Sequence, residues 1–153
     1  NKVNDNFKHL FNRLFKGGKA ELKFIGSEDP LNAGLEIYAS PPGKKMQSLS
    51  LLSGGEQALT SISLIFASFL SNPSPLCILD EVDAALDDTN VSRFCELLKF
   101  LVNEQNISFL IVTHHRLTMA NMNNLLGVTM QEKGISKLLS VDLEKAVEIK
   151  EAS

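Results

Sequence analysis

Two short apolar runs, Leu76-Cys77-Ile78-Leu79 and Ser108-Phe109-Leu110-Ile111-Val112-Thr113, bracket a helical stripe of Val91, Phe94, Leu97, Leu98, Leu101 and Val102. Unbroken apolar runs of this length suit strands buried on both faces, and one helix between two of them predicts a parallel, right-handed βαβ unit. Open α/β sheets gather their ligands at the carboxyl ends of the strands. Here those ends carry Asp80-Glu81 and Thr113-His114-His115. A length of 153 residues with 44% hydrophobic content fits one globular α/β domain built around that unit.

The flanking segments have their own patterns. Val3, Phe7, Leu10 and Leu14, widened by Phe11 and Phe15, predict an amphipathic helix over residues 2–16, ended by Gly17-Gly18. Two heptads at most leave a coiled-coil end and an ordinary surface helix equally open. Alternation in Ala20–Ile25 and Gly34–Ala39 predicts two strands, separated by the turn-rich Gly26-Ser27-Glu28-Asp29-Pro30. After the Pro41-Pro42-Gly43-Lys44-Lys45 loop, Gln57–Leu70 has a broad apolar helical face. Near the C-terminus, Leu125–Met130 and Ile135–Val141 around Glu132-Lys133-Gly134 read as a hairpin.

Composition excludes several classes. A formal net charge of −3 argues against nucleic-acid affinity resting on a strong overall positive field, although local basic clusters remain compatible. Cys77 sits in an apolar run and Cys95 in a helical pattern, which predicts two unrelated buried thiols and a reducing compartment. No stretch reaches the roughly 18 consecutive apolar residues of a membrane span, and the polar start lacks a secretory hydrophobic region. A soluble, cytoplasmic protein is expected.

Ser53-Gly54-Gly55-Glu56 admits two readings. Ser53 can cap a helix and Glu56, three residues on, can complete a capping box. The paired glycines also leave backbone N–H groups bare, so a phosphate could approach a helix N-terminus there. Asp80 and Glu81 likewise fit a solvated acidic turn, or a site where one carboxylate holds a hydrated Mg2+ while the other positions and deprotonates water. The two side chains would point to opposite faces if the strand persists. His114 would bring an imidazole to the same sheet edge. The chain has no phosphate cradle of its own, because neither Gly-Lys pair fits G-x-x-x-x-G-K-[ST]. For Gly18-Lys19 the outer positions are Arg13 and Ala20, and for Gly43-Lys44 they are Tyr38 and Lys45; both lysines read as solvated beside turn glycines.

The order of these motifs carries a family resemblance. Leu52-Ser53-Gly54-Gly55-Glu56-Gln57 resembles the signature motif of ATP-binding-cassette (ABC) ATPases. Leu76–Glu81 resembles the Walker B strand, Ala85-Leu86-Asp87-Asp88 the D-loop, and His114 the switch histidine. Asp80-Glu81-Val82-Asp83-Ala84-Ala85-Leu86-Asp87 is similar to the structural-maintenance-of-chromosomes (SMC) branch. The flanks Phe15–Leu22, Pro41–Lys45 and Gly127–Glu132 resemble the bacterial members closely, so the likeness covers almost the whole chain.

The resemblance implies the C-terminal lobe of an ABC-type (P-loop NTPase) head: α/β, a parallel βαβ core with flanking helices and a terminal β-hairpin. The Walker A lobe would be missing from this chain and lie at the far N-terminus of the full polypeptide, before a long coiled coil and hinge. Residues 1–16 would end the coiled coil and 17–153 form the lobe. In that family two heads sandwich two ATP molecules with Mg2+. The implied roles are Ser53, Gly54 and Gly55, within the Leu52–Gln57 signature, for a γ-phosphate in trans; Asp80 for Mg2+; Glu81 for the attacking water; and His114 as γ-phosphate sensor. Asp87, in the D-loop of Ala85, Leu86, Asp87 and Asp88, would cross the dimer. Implied partners are the N-terminal Walker A lobe, a second head, a kleisin-type subunit and DNA, with no membrane. The setting would be nucleoid-associated chromosome condensation and segregation, and the lobe alone should be inactive. A docking lobe with vestigial catalysis and a related DNA-repair or transporter ATPase are the alternatives. Gln57 departs from the family, which usually carries Arg or Lys there, and His115-Arg116 departs too.

Overall fold

The apolar stripe of the first helix decides how the larger part of the molecule packs. In the computed structural model, which describes residues 2–142 apart from 28 and 30, α1 spans Lys2–Phe15 and buries Phe7, Leu10, Phe11, Leu14 and Phe15. Phe11 stacks on Phe15 at 4.2 Å between ring centroids and meets Phe7 edge-on at 6.3 Å. Each such side chain contributes about 1.5–3 kcal/mol by leaving water. The helix is therefore core-forming. Its first turns are tied to neighbours: Asn4 Oδ1 accepts the Leu22 N–H at 2.9 Å, and Asn6 Nδ2 donates to the Ala67 carbonyl at 3.2 Å. Near its end the Arg13 guanidinium lies 3.7 Å over the Phe100 ring. Asn1, residues 28 and 30 of the predicted turn, and 143–153 of the predicted lobe lie outside the described residues.

The helix stops in a left-handed run at Lys16, Gly17 and Gly18. A Cβ on Gly18 would run into the Ser40 carbonyl, so glycine is required where the chain enters β1 (Lys19–Ile25). β1 pairs antiparallel with β2 (Gly34–Ser40), and β2 with the two-residue β3 (Gln47–Ser48), giving the small antiparallel region expected. A 3-10 turn, Leu49–Leu51, then leads into α2 (Gly54–Phe69).

The βαβ unit forms as the sequence predicts: β4 (Leu76–Asp80), α3 (Asp88–Gln105) and β5 (Ser108–Val112), with the two strands parallel in the register Leu76↔Ser108 to Asp80↔Val112. The expectation that both sheet faces are buried is corrected. Leu79 is buried and Phe109 meets Phe66 edge-on, but the other face leaves Leu76, Ile78, Leu110 and Val112 about half exposed. Among the described residues up to Thr113 no layer covers this face.

Residues up to Thr113 form one compact unit, and the chain from His114 onward forms a second. The second unit holds the short helix α4 (Arg116–Ala120) and the hairpin of β6 (Asn124–Glu132) and β7 (Ile135–Asp142), with a register shift between Met130 and Glu132. The hairpin was expected and α4 was not. No helix among the described residues is long and apolar enough to cross a membrane.

Candidate functional site

The approach to α2 is set by its own short-range polar contacts. Leu52 is buried, and its N–H closes the 3-10 turn on the Leu49 carbonyl at 3.1 Å. Ser53 follows in an extended conformation at the N-cap. The Glu56 carboxylate accepts the Ser53 N–H at 3.0 Å and the Ser53 hydroxyl at 2.9 Å, so the capping reading holds. Glu56 also pairs with Lys44, whose Nζ lies 2.8 Å from one carboxylate oxygen and 2.9 Å from the other. Lys44, first with its hydrogen bond, holds the Glu56 carboxyl below the usual carboxylate range. Lys44 was expected to be merely solvated; it anchors this turn instead.

The cap leaves the helix N-terminus open. Among the described residues a Cβ on Gly54 would meet nothing within 4 Å, whereas one on Gly55 would fall 2.5 Å from Asn90 Nδ2. The two glycines therefore differ: Gly54 borders empty space suited to an anion, and Gly55 admits a neighbouring helix. Asn90 lies in the first turn of α3, where its backbone N–H donates to Asp87 Oδ1 at 2.8 Å. The Ser53–Gln57 and Ala85–Asp88 segments are thus brought together through one asparagine. Gln57 gains a structural account, since its Nε2 donates to the Leu52 carbonyl at 2.9 Å and fastens the turn with a neutral amide.

At the other candidate segment the backbone itself is unusual. β4 ends at Asp80, and Glu81 takes a left-handed conformation with φ +48° while its N–H donates to the Val112 carbonyl at 2.9 Å. The strand does not persist through Glu81, so the condition for alternation of the Asp80 and Glu81 side chains is not met. A non-glycine residue held there costs about 1–3 kcal/mol, and such outliers cluster at functional sites. Asp83, buried at 1% exposure, secures the turn. It accepts the Thr113 hydroxyl at 2.7 Å, and its carbonyl accepts the Leu86 N–H at 3.0 Å. Leu86 is buried, while Asp80, Glu81, Ala85, Asp87 and Asp88 are exposed. Asp87 is the N-cap of α3.

His114 is exposed at the start of the second unit, and His115 stands at the N-cap position of α4. Among the described residues no cluster of three or more His, Cys, Asp or Glu side chains could hold a metal ion. Four residues of the site were given no role from sequence: Lys44, Asp83, Asn90 and Thr113. For Asp83 a signal existed, since a carboxylate follows one strand end and Thr113 closes the neighbouring strand. Nothing in the local pattern pairs Lys44 with Glu56.

Residues 8–137 match the family described as the RecF/RecN/SMC N terminal domain. The chain is 64% identical over 147 residues to a chromosome partition protein Smc of Rhodopseudomonas palustris, covering 96% of this chain and 13% of that protein. It is also 60% identical over 151 residues to an uncharacterized protein in the ATPase CF(0) subunits 3' region of Rhodospirillum rubrum, covering 99% of this chain and 87% of that one. The chain thus spans only about an eighth of the length of the Smc relative. Among solved structures it is similar to a chain from a study of ATP-driven dimerization and DNA stimulated activation of SMC ATPases, with a TM-score of 0.82, 39% identity, and coverage of 99% of this chain and 90% of that one. It is also similar to the Smc head domain of Pyrococcus furiosus with an extended coiled coil, bound to the C-terminal domain of ScpA. There the TM-score is 0.80 at 40% identity, over 99% of this chain and 37% of that one. The chain belongs to the RecF/RecN/SMC family, and its α/β fold is that of SMC ATPase heads.

Proposed function

We propose that this chain is the C-terminal lobe of the ATPase head of a bacterial SMC protein, in which ATP-dependent engagement and release of two heads is coupled to DNA in chromosome condensation and segregation. The observation that carries this reading is the open N-terminus of α2 in a chain without a phosphate cradle: space before Gly54, a capped turn behind it, and no G-x-x-x-x-G-K-[ST] segment. Such a terminus suits a nucleotide held by another subunit.

On this reading Ser53, Gly54 and Gly55 contact the γ-phosphate in trans, and Asp87 lies at the dimer face. Asp80 is the Mg2+ ligand, and the ion when bound supplies charge neutralisation at the phosphates. Glu81 orients and deprotonates the attacking water, and His114 senses the γ-phosphate. Catalysis is then mainly positional and electrostatic, as phosphoryl transfer requires. The Walker A lobe of the same polypeptide is the expected cover for the exposed apolar face of Leu76, Ile78, Leu110 and Val112. The further partners are a second head, a kleisin-type subunit and DNA, in a nucleoid-associated, cytoplasmic setting. The lobe by itself is inactive on this reading.

The test uses the complete protein. Ser53→Arg is expected to abolish ATP-dependent crosslinking between heads, and Glu81→Gln to retain ATP binding while engaged heads accumulate. Crosslinked heads in Ser53→Arg, or unchanged turnover in Glu81→Gln, would remove the corresponding role.

A further inference from the structure

The turn that supplies Lys44 is built to hold that residue still. Its N–H donates to the Pro41 carbonyl at 3.0 Å, and its own carbonyl accepts the Ser40 hydroxyl at 2.7 Å. Gly43 sits at φ +79°, a left-handed conformation that favours glycine. From this pinned backbone the Lys44 side chain reaches across to the first turn of α2 and meets both oxygens of Glu56.

Glu56 in turn holds the Ser53 hydroxyl. A hydroxyl has one proton to give, and here it goes to the carboxylate at 2.9 Å. To donate to a phosphate at the N-terminus of α2, Ser53 must turn away from Glu56. Two costs oppose that step: the carboxylate loses a donor, and an anion arrives beside a carboxylate. Lys44 reduces both, since it supplies Glu56 with a charged donor that stays in place and neutralises its charge. Glu56 also keeps the Ser53 N–H at 3.0 Å, so the cap survives the hydroxyl's departure.

We propose that Lys44 is a positioning residue for Ser53: it holds and neutralises Glu56 so that the Ser53 hydroxyl can be handed from that carboxylate to an incoming phosphate. The proposal rests on the reading of Ser53 as a phosphate ligand. Stability is not the role the pair is built for, because Lys44 is about half exposed and pairs of that kind add little to folding. The Lys44 ammonium already meets both Glu56 oxygens, so it is the charge placed to balance that carboxylate.

The experiment measures ATP-dependent head crosslinking against ATP concentration in the complete protein with Mg2+, together with thermal midpoints. Lys44→Ala is expected to raise the half-maximal ATP concentration about tenfold, and Lys44→Arg to stay within about twofold, because the cost is an unbalanced neighbouring charge. The double variant Lys44→Ala with Glu56→Gln is expected to recover to within about threefold, since the amide needs no counter-charge. Thermal midpoints should change by less than about 2 °C in Lys44→Ala. A wild-type response in Lys44→Ala, while Ser53→Arg still blocks crosslinking, overturns this proposal alone. So does a loss that Glu56→Gln fails to recover, because Lys44 would then serve only the turn. Normal crosslinking in Ser53→Arg overturns the phosphate reading itself, and this proposal with it.

Discussion

The turn before α2 and the turn after β4 carry most of the candidate chemistry of the first unit, yet they are held by opposite means. The first is fastened at the surface by Lys44, Glu56 and Gln57, whose contacts are polar and partly exposed. The second is fastened from below by Asp83, one buried carboxylate joined to Thr113, with a left-handed Glu81 above it. A surface network can exchange partners cheaply, because water replaces what is lost. A buried carboxylate cannot, because its desolvation is recovered only while its partners stay in place. The first turn is suited to a contact that forms and breaks, and the second to geometry that stays fixed.

Asp83→Ala should break the contrast most severely. It strips the buried anchor and leaves the Thr113 hydroxyl to find another acceptor, so stability should fall by about 3 kcal/mol, read as a lower urea midpoint. A midpoint equal to wild type would mean that the second turn is no better anchored than the first. Gly55→Ala comes next, with an expected loss of about 1 kcal/mol as the Asn90 amide is pushed aside. Asn90→Ala in the same chain should recover most of it, whereas Gly54→Ala should leave the melting temperature almost unchanged, because nothing lies within 4 Å of that position. Glu81→Gly is expected to act in opposite directions on fold and function: relief of the left-handed backbone should raise stability by about 1 kcal/mol, while ATP turnover in the complete protein falls sharply. Loss of stability in that variant would show that the Glu81 side chain, rather than the backbone, holds the turn.

The smallest expected effect is a pH dependence. The Glu56 carboxyl is lowered on folding, so the stabilisation it adds is fully present above its ordinary value of about 4.5 and is lost as pH falls through the lower folded value. The stability difference between wild type and Glu56→Gln should hold steady from pH 7 to 5 and shrink in more acid solution. Given the exposure of the pair, it should stay within about 1 kcal/mol. Equal differences at pH 7 and pH 3 would remove ionisation from the account of the first turn.

Sequence patterns foretold the core more fully than the site. The stripe from Phe7 to Phe15, the strand–helix–strand order around α3, and the Ser53–Glu56 cap are each written within a few residues, where periodicity and spacing act directly. The open face of β4 and β5 was not legible. An apolar run states that a face avoids water, and does not state whether this stretch of chain supplies the cover. Where the chain leaves the strand was not legible either: alternation holds only for a continuing strand, and β4 ends at the residue before Glu81. Asp83 and Lys44 find their partners 30 and 12 residues away, at distances where no local pattern operates.

The fastening of α1 has a mechanical consequence. Lys2 donates to the Ser71 carbonyl at 2.9 Å and Asn6 to that of Ala67, so the first turns of α1 are moored to the far end of the helix that opens at Gly54. The helix α2 is 16 residues long, a strut of about 24 Å. A pull or twist on residues 2–6 is therefore expected to reach the C-terminal end of α2, the end opposite the Ser53 turn, through these two contacts.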